Sequence, residues 1–209
     1  MYSTKSGLVL GFHGCDQAVA DKVISSGDNL LASTNRYDWL GNGIYFWEQS
    51  PERALAYATE LQQNPGKSKN PIKAPAVIGA VIDLGFCLDL VTMDNLGLLA
   101  RSYETLQKSY AAAGLDLPRN KPRTKSETQS ADLLRRELDC LVIEAFHDSM
   151  QEEKKPAFDS VRGVFWEGEE LYPNAGFRAK NHIQLCIRNP NCIKGYFQPR
   201  ELDNKHSAV

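Results

Sequence analysis

With 209 residues, 42% apolar and 24% charged, the chain has the composition of an ordinary globular protein large enough to bury a real core. Its net charge of −2 excludes nucleic-acid binding by bulk charge, though not by a local basic groove. The five cysteines are odd in number and form no C-x-x-C pair, and the four histidines lack metal-ligand spacing, so neither a disulfide framework nor structural zinc is expected.

Weak alternation from Gly7 to Phe12 predicts a strand leading to His13. Asp16 then caps a helix to about Ser25, with Ala20, Val23 and Ile24 inward and Gly27 as terminator. Residues 30–40 read as a loop or short strand. Gly41 and Gly43 bracket a tight turn, followed at once by Tyr45, Phe46 and Trp47. Of these three, Phe46 is assigned to the core. Ser50 as N-cap and Pro51 as first helical residue start a second helix, with Ala54, Leu55, Ala58 and Leu61 on one face. After a Pro/Gly/Lys-rich loop, residues 76–84 and 86–91 read as apolar strands. Residues 93–113 predict a helix. Residues 126–150 predict one or two more, with Leu133, Leu134, Leu138 and Leu141 on one side. Strands follow at about 160–166, 182–188 and 192–197.

Three segments carry the functional signal: His13-Gly14, then Gly41-Asn42-Gly43-Ile44-Tyr45-Phe46, then Gln184 within HIQLCI. Together and in this order they resemble the NAD-dependent ADP-ribosyltransferases of the diphtheria-toxin and poly(ADP-ribose) polymerase type. That family has an H-G pair on its first core strand, a G-x-G-I-Y-F segment leading into a helix, and a late strand bearing a polar residue. The resemblance implies an α+β fold: a split, twisted antiparallel β-core with flanking helices. Residues 74–90 then correspond to a central strand pair, and residues 92–157 to a helical insertion in a single domain spanning 1–209.

The resemblance also implies a chemistry. Breaking the nicotinamide–ribose bond of NAD develops positive charge on the sugar, so a catalyst needs orientation, exclusion of water and acceptors near that charge. Gly14 is expected to grip the nicotinamide carboxamide through its backbone, His13 to bond a hydroxyl of the adenosine ribose, and Tyr45 to stack on the nicotinamide ring. NAD is the substrate, and no metal is called for. Without the H-G pairing, His13 reads more simply as a strand-end histidine with one hydrogen bond and no ligand.

Two positions depart from the family. A second stacking tyrosine, eleven residues after the first, is replaced by Ala56, leaving Tyr57, Tyr37 or Trp47 as the second wall. Gln184 stands where Glu is usual, which implies transfer of one ADP-ribose rather than chain extension. Glu167, Glu169 or Glu170 in the preceding loop is the alternative source of a carboxylate. The expected activity is mono-ADP-ribosyl transfer to a macromolecular acceptor, protein or nucleic acid. An NAD glycohydrolase or an inactive NAD- or ADP-ribose-binding module are the alternatives.

A compact bacterial or phage-conflict toxin with a neutralising antitoxin partner is the natural setting. The basic residues Arg119, Lys121, Arg123, Lys125, Arg135 and Arg136, and the group Lys67, Lys69 and Lys73, read more simply as a solubilising surface than as a nucleic-acid groove. The opening MYSTKSGLVLGF is too short and polar for a secretory signal, and no run approaches a membrane span. A cytoplasmic setting without membrane contact is expected.

Overall fold

The computed structural model describes residues 7–67, 70–122, 132–201 and 205. Its elements run β1 (Val9–Asp16), α1 (Gln17–Ser26), β2 (Ile44–Glu48), α2 (Pro51–Gln63), β3 (Pro75–Ile82), β4 (Cys87–Asp89), α3 (Met93–Ala112), α4 (Glu137–Glu152), β5 (Ser160–Phe165), β6 (His182–Ile187) and β7 (Ile193–Phe197). The strands form one seven-stranded sheet in the order β4-β5-β6-β2-β1-β3-β7. The fold is α+β. Every pairing is antiparallel except β4 with β5, which is parallel. No described helix is long and apolar enough to cross a membrane.

Local chemistry sets the element ends. Asp16 accepts from the backbone N–H of Ala18 at 3.1 Å to start α1, and its other oxygen accepts from those of Lys73 and Ala74 at 2.6 and 3.0 Å. One carboxylate thus fixes both the helix start and the entry to β3. Gly27 closes α1 at φ +70°, its N–H reaching the Val23 carbonyl. Pro51 opens α2, but the Ser50 hydroxyl makes no cap bond. The Ser50 carbonyl instead accepts from the Ala54 N–H at 3.2 Å. Helix α4 borrows its cap: Asn120 Oδ1 accepts from the N–H groups of Leu138 and Asp139.

Several sequence expectations change. His13 and Gly14 lie inside β1, which runs on to Asp16. Ile24 and Leu55 are exposed, because α1 and α2 each bury only a narrow stripe: Ala20 and Val23, then Ala54, Ala58 and Leu61. In α4 the buried face is Cys140, Ile143, Phe146 and His147 rather than the predicted leucines. Part of the predicted 126–150 helical stretch lies outside the described residues. Strands β3 and β4 are not a pair. β3 joins β1 and β7, while β4 sits on the opposite edge against β5. Parallel neighbours need a long crossover, and α3 and α4 provide the one between β4 and β5.

Two apolar layers sandwich the sheet. One face buries Phe46, Ile78, Ala80, Ile82 and Leu185 with α1. On the other, α4 covers Leu88, Val161 and Cys186, while Ala54 of α2 meets Phe12 and Trp47. Helix α2 lies so close to β1 that a Cβ on Gly14 would sit 2.0 Å from the Ala54 carbonyl oxygen. Gly14→Ala is therefore expected to destabilise the fold by at least ~1–3 kcal/mol, the usual cost of forced overpacking. Urea unfolding of wild type and variant tests this. An unchanged midpoint would show that α2 can move off β1 without cost.

Candidate functional site

The three motif segments converge on adjacent strands. His13 lies on β1, Tyr45 on β2 and Gln184 on β6, and these strands are neighbours in the order β6-β2-β1. The β1–β2 junction is short. Only Gly11↔Glu48 and Phe12↔Trp47 are in register, against eight residue pairs between β1 and β3. Past this junction His13 Nδ1 lies 2.7 Å from the Tyr45 carbonyl oxygen. A carbonyl only accepts, so Nδ1 carries the proton and Nε2 is an acceptor. Burial, opposed by this hydrogen bond, lowers the His13 pKa below its ordinary value. The imidazole is neutral at physiological pH and bridges the split in the sheet.

Tyr45 is more constrained than a stacking residue needs to be. Its hydroxyl donates to the Gly41 carbonyl at 2.6 Å and accepts from the Leu40 N–H at 2.9 Å. Burial raises its pKa well above the ordinary phenol value. Glu144 of α4 completes the turn, accepting from the Asn42 backbone at 2.8 Å and side chain at 2.9 Å. Arg188, just after β6, donates to the same carboxylate at 2.6 Å. Burial disfavours the Glu144 carboxylate, but the bonds from Arg188 and Asn42 outweigh it and hold its pKa low. Gly41 has φ +77°, and a Cβ on it would meet Glu144 Oε1 at 2.3 Å. The two turn glycines are thus explained by a latch to α4 and β6, and the tyrosine ring is held at a fixed angle.

Tyr45, Trp47 and Gln184 share one sheet face. Trp47 stands opposite Gln184, Tyr45 opposite Cys186, and Gln184 also opposite Gly163 of β5. His13 belongs to the other face, its ring 6.0 Å edge-on from Phe46. Phe46 is fully buried, as assigned from the sequence. Trp47 is also buried, with Tyr57 5.0 Å away between ring centres. Tyr37 lies elsewhere, beneath Arg135. Of the three alternatives for a second wall, only Trp47 and Tyr57 adjoin one another. On the side of Gly14 where a Cβ would stand, Ala54 and Ala58 of α2 pack directly against the backbone.

The loop carboxylates separate sharply. Glu169 and Glu170 are exposed, while Glu167 is buried. Glu167 accepts both its bonds from Arg53 Nη2, at 3.1 and 3.0 Å, and lies 3.7 Å from His182 Nδ1. Nothing in the sequence pattern singles out Arg53 or His182. The pairing spans 114 residues and leaves no local spacing to find. On the opposite face Arg162 joins Glu48 at 2.6 Å and Asp89 at 3.1 Å, tying β5 to β2 and β4. Burial disfavours its charge, but the two carboxylates raise its pKa.

Three members of the basic cluster are paired with carboxylates. Lys121 and Arg135 pair with Glu137, and Arg136 with Asp139. Arg123, Lys125 and Lys69 lie outside the described residues. Among the described residues no group of His, Cys, Asp or Glu is arranged to hold a metal ion. The five cysteines are free thiols. Two shallow recesses, of about 310 and 420 Å³, lie along α1; the first reaches Val77 and Ile78 of β3, the register partners of Gly14 and His13, and the second runs on to β7.

No family model and no solved structure matches the chain. It is similar to an uncharacterized protein, MJ0359, of Methanocaldococcus jannaschii, at 23% identity over 199 residues, covering 88% of this chain and 83% of that one. The similarity extends over most of both chains and carries no statement of activity.

Burial pushes His147 and His182 down to about 4. In the unfolded chain a histidine titrates near ~6.5, so the unfolded state binds the extra protons as pH falls below that value. Stability from these two groups is fully present above ~6.5 and is lost toward pH 4, by up to roughly 3 kcal/mol each. The urea midpoint is expected to drop steeply between pH 7 and pH 5, and less so in His147→Phe. A flat profile in wild type would contradict the buried neutral state.

Proposed function

We propose that this chain is an NAD-dependent mono-ADP-ribosyltransferase. The observation that carries the proposal is convergence. Three motif segments drawn from positions 13–14, 41–46 and 184 come together on three adjacent strands: His13 spans the split between β1 and β2 from one sheet face, while Tyr45 and, one strand further on, Gln184 lie on the other face. In this proposal NAD lies along that split. The C1′–N bond breaks with its electron pair going to nitrogen, which releases neutral nicotinamide. The ribosyl cation is captured by an acceptor that gives up a proton.

Each residue has a limited task. His13 Nε2 accepts from a ribose hydroxyl while Nδ1–H stays on the Tyr45 carbonyl. That division of labour suits a binding role rather than proton transfer. Tyr45, its hydroxyl already committed to the turn, offers its ring face; stacking adds about 0.5–1.5 kcal/mol beyond burial. The Gln184 amide oxygen accepts from a second hydroxyl. Being neutral, it stabilises the cation less than a carboxylate would, and it is a poor base for activating a ribose hydroxyl. Single-unit transfer follows from that. The acceptor in this proposal is a protein or nucleic acid, and a neutralising antitoxin is a proposed partner.

Nicotinamide release from NAD, measured beside circular dichroism, tests the proposal. Gln184→Ala is expected to slow release about ten- to a hundredfold, the loss of one hydrogen bond to a charged transition state. His13→Ala is expected to lose as much and also some stability, because the Tyr45 carbonyl is left unpaired. Labelled NAD with cell extract should leave single ADP-ribose units on a macromolecule. Free ADP-ribose alone would make the chain a glycohydrolase. No nicotinamide release by folded wild type would overturn the proposed activity, and polymer ladders would overturn single-unit transfer.

A further inference from the structure

Between α2, β2 and the start of β6 the chain buries polar atoms that its own structure does not pair. Trp47 Nε1, Arg53 Nε and Nη1, and His182 Nε2 are all buried without a hydrogen-bond partner. Such groups are uncommon, since an unmade buried bond costs about 1–3 kcal/mol. Here they cluster. The His182 ring is 6.3 Å from Trp47 and 6.0 Å from Trp39, nearly parallel to the latter, and Arg53 lies 5.5 Å over Trp47. The His182 side chain is only 1% exposed.

The donor and acceptor roles are fixed. His182 Nδ1 is 2.6 Å from the Lys180 carbonyl, so it donates there and Nε2 is left as a bare lone pair. The indole and guanidinium N–H groups can only donate. Arg53 is paired with Glu167, and Arg136, which lies 4.5 Å over Trp39, is paired with Asp139, so the charges around the cluster balance and favour no ion. What it lacks is a neutral group with one N–H to give and one or two lone pairs to receive. Its aromatic rings suit a flat body.

We infer that Trp47 and His182 read one edge of a flat, neutral ring bearing a hydrogen-bond donor beside an acceptor, as a carboxamide or a nucleobase does. The ring's N–H donates to His182 Nε2, and its acceptor atom receives the Trp47 indole N–H, with Arg53 as a second donor. The Glu167 carboxylate is a positioning group that holds Arg53 in place. The inference goes beyond the proposed reaction and rests on that proposal only for the choice of probes.

The test is a titration of the ¹⁵N-labelled full chain, followed through the indole N–H signals of its three tryptophans. Nicotinamide supplies the carboxamide edge and adenosine the base edge, which offers an amino donor beside a ring acceptor. At least one is expected to shift the Trp47 signal, and which one identifies the source. Trp166, already bonded to the Gly176 carbonyl at 3.0 Å, should stay still. Nicotinate, which has no N–H at neutral pH, should not shift Trp47. His182→Phe should weaken binding at least tenfold, as should Trp47→Phe measured by calorimetry. No Trp47 shift at millimolar probe, or unchanged affinity in both variants, would overturn the inference. The readout does not depend on NAD cleavage, so binding without turnover would count against the proposed reaction alone.

Discussion

The contact between β1 and β2 is the constraint on which the rest of the molecule depends. Two blocks of strands, β4-β5-β6-β2 and β1-β3-β7, are joined in the sheet by two registered residue pairs, by the Gln49 N–H on the Leu10 carbonyl at 2.9 Å and by the His13 imidazole on the Tyr45 carbonyl. So short a join needs close approach. Gly11 supplies it, since a Cβ there would lie 2.7 Å from Ile82 and 2.9 Å from Phe46. Beyond the join, β1 cannot satisfy β2 strand to strand, and a side chain does so instead. The buried Tyr45 carbonyl would otherwise be left unpaired.

The latch around Glu144 follows from the same geometry. A strand paired over only two residues on one side must be held from the other. β2 has four pairs with β6, and the turn before it is gripped by Glu144 of α4 and Arg188 after β6. The α3–α4 crossover, imposed by the parallel β4–β5 pair, therefore also brings a carboxylate to the motif turn. What reads in sequence as an insertion is needed to fix the turn that carries Tyr45.

Much of the fold was legible where the cause is local. Asp16 and Gly27 mark the ends of α1 because capping and left-handed backbone are properties of single residues. Apolar runs marked β3, β5 and β6, and the fully buried role of Phe46 followed from the aromatic triplet. Strand partners were not legible. The run at 74–90 splits between opposite sides of the sheet, and nothing in its own composition says so. The site shows the same division. His13, Tyr45 and Gln184 come from recognisable segments, but the Arg53–Glu167 pair joins residues with no sequence relation. His182 and Gln184 are two apart on one strand and so share a face, which leaves periodicity unable to choose between them. Glu167 differs from Glu169 and Glu170 by its burial and its pairing with Arg53, and neither is visible in the sequence.

The central claim is that the split bridged by His13 is where NAD binds. A crystal structure with a non-cleavable NAD analogue, its ribosyl–nicotinamide bond made of carbon, tests this most directly. Density is expected along the β1–β2 split, with the nicotinamide-side ribose within hydrogen-bond reach of Gln184 and a hydroxyl of the adenosine ribose on His13 Nε2. Analogue bound in the recesses along α1 or β7, or no binding to folded protein at saturating concentration, would contradict it.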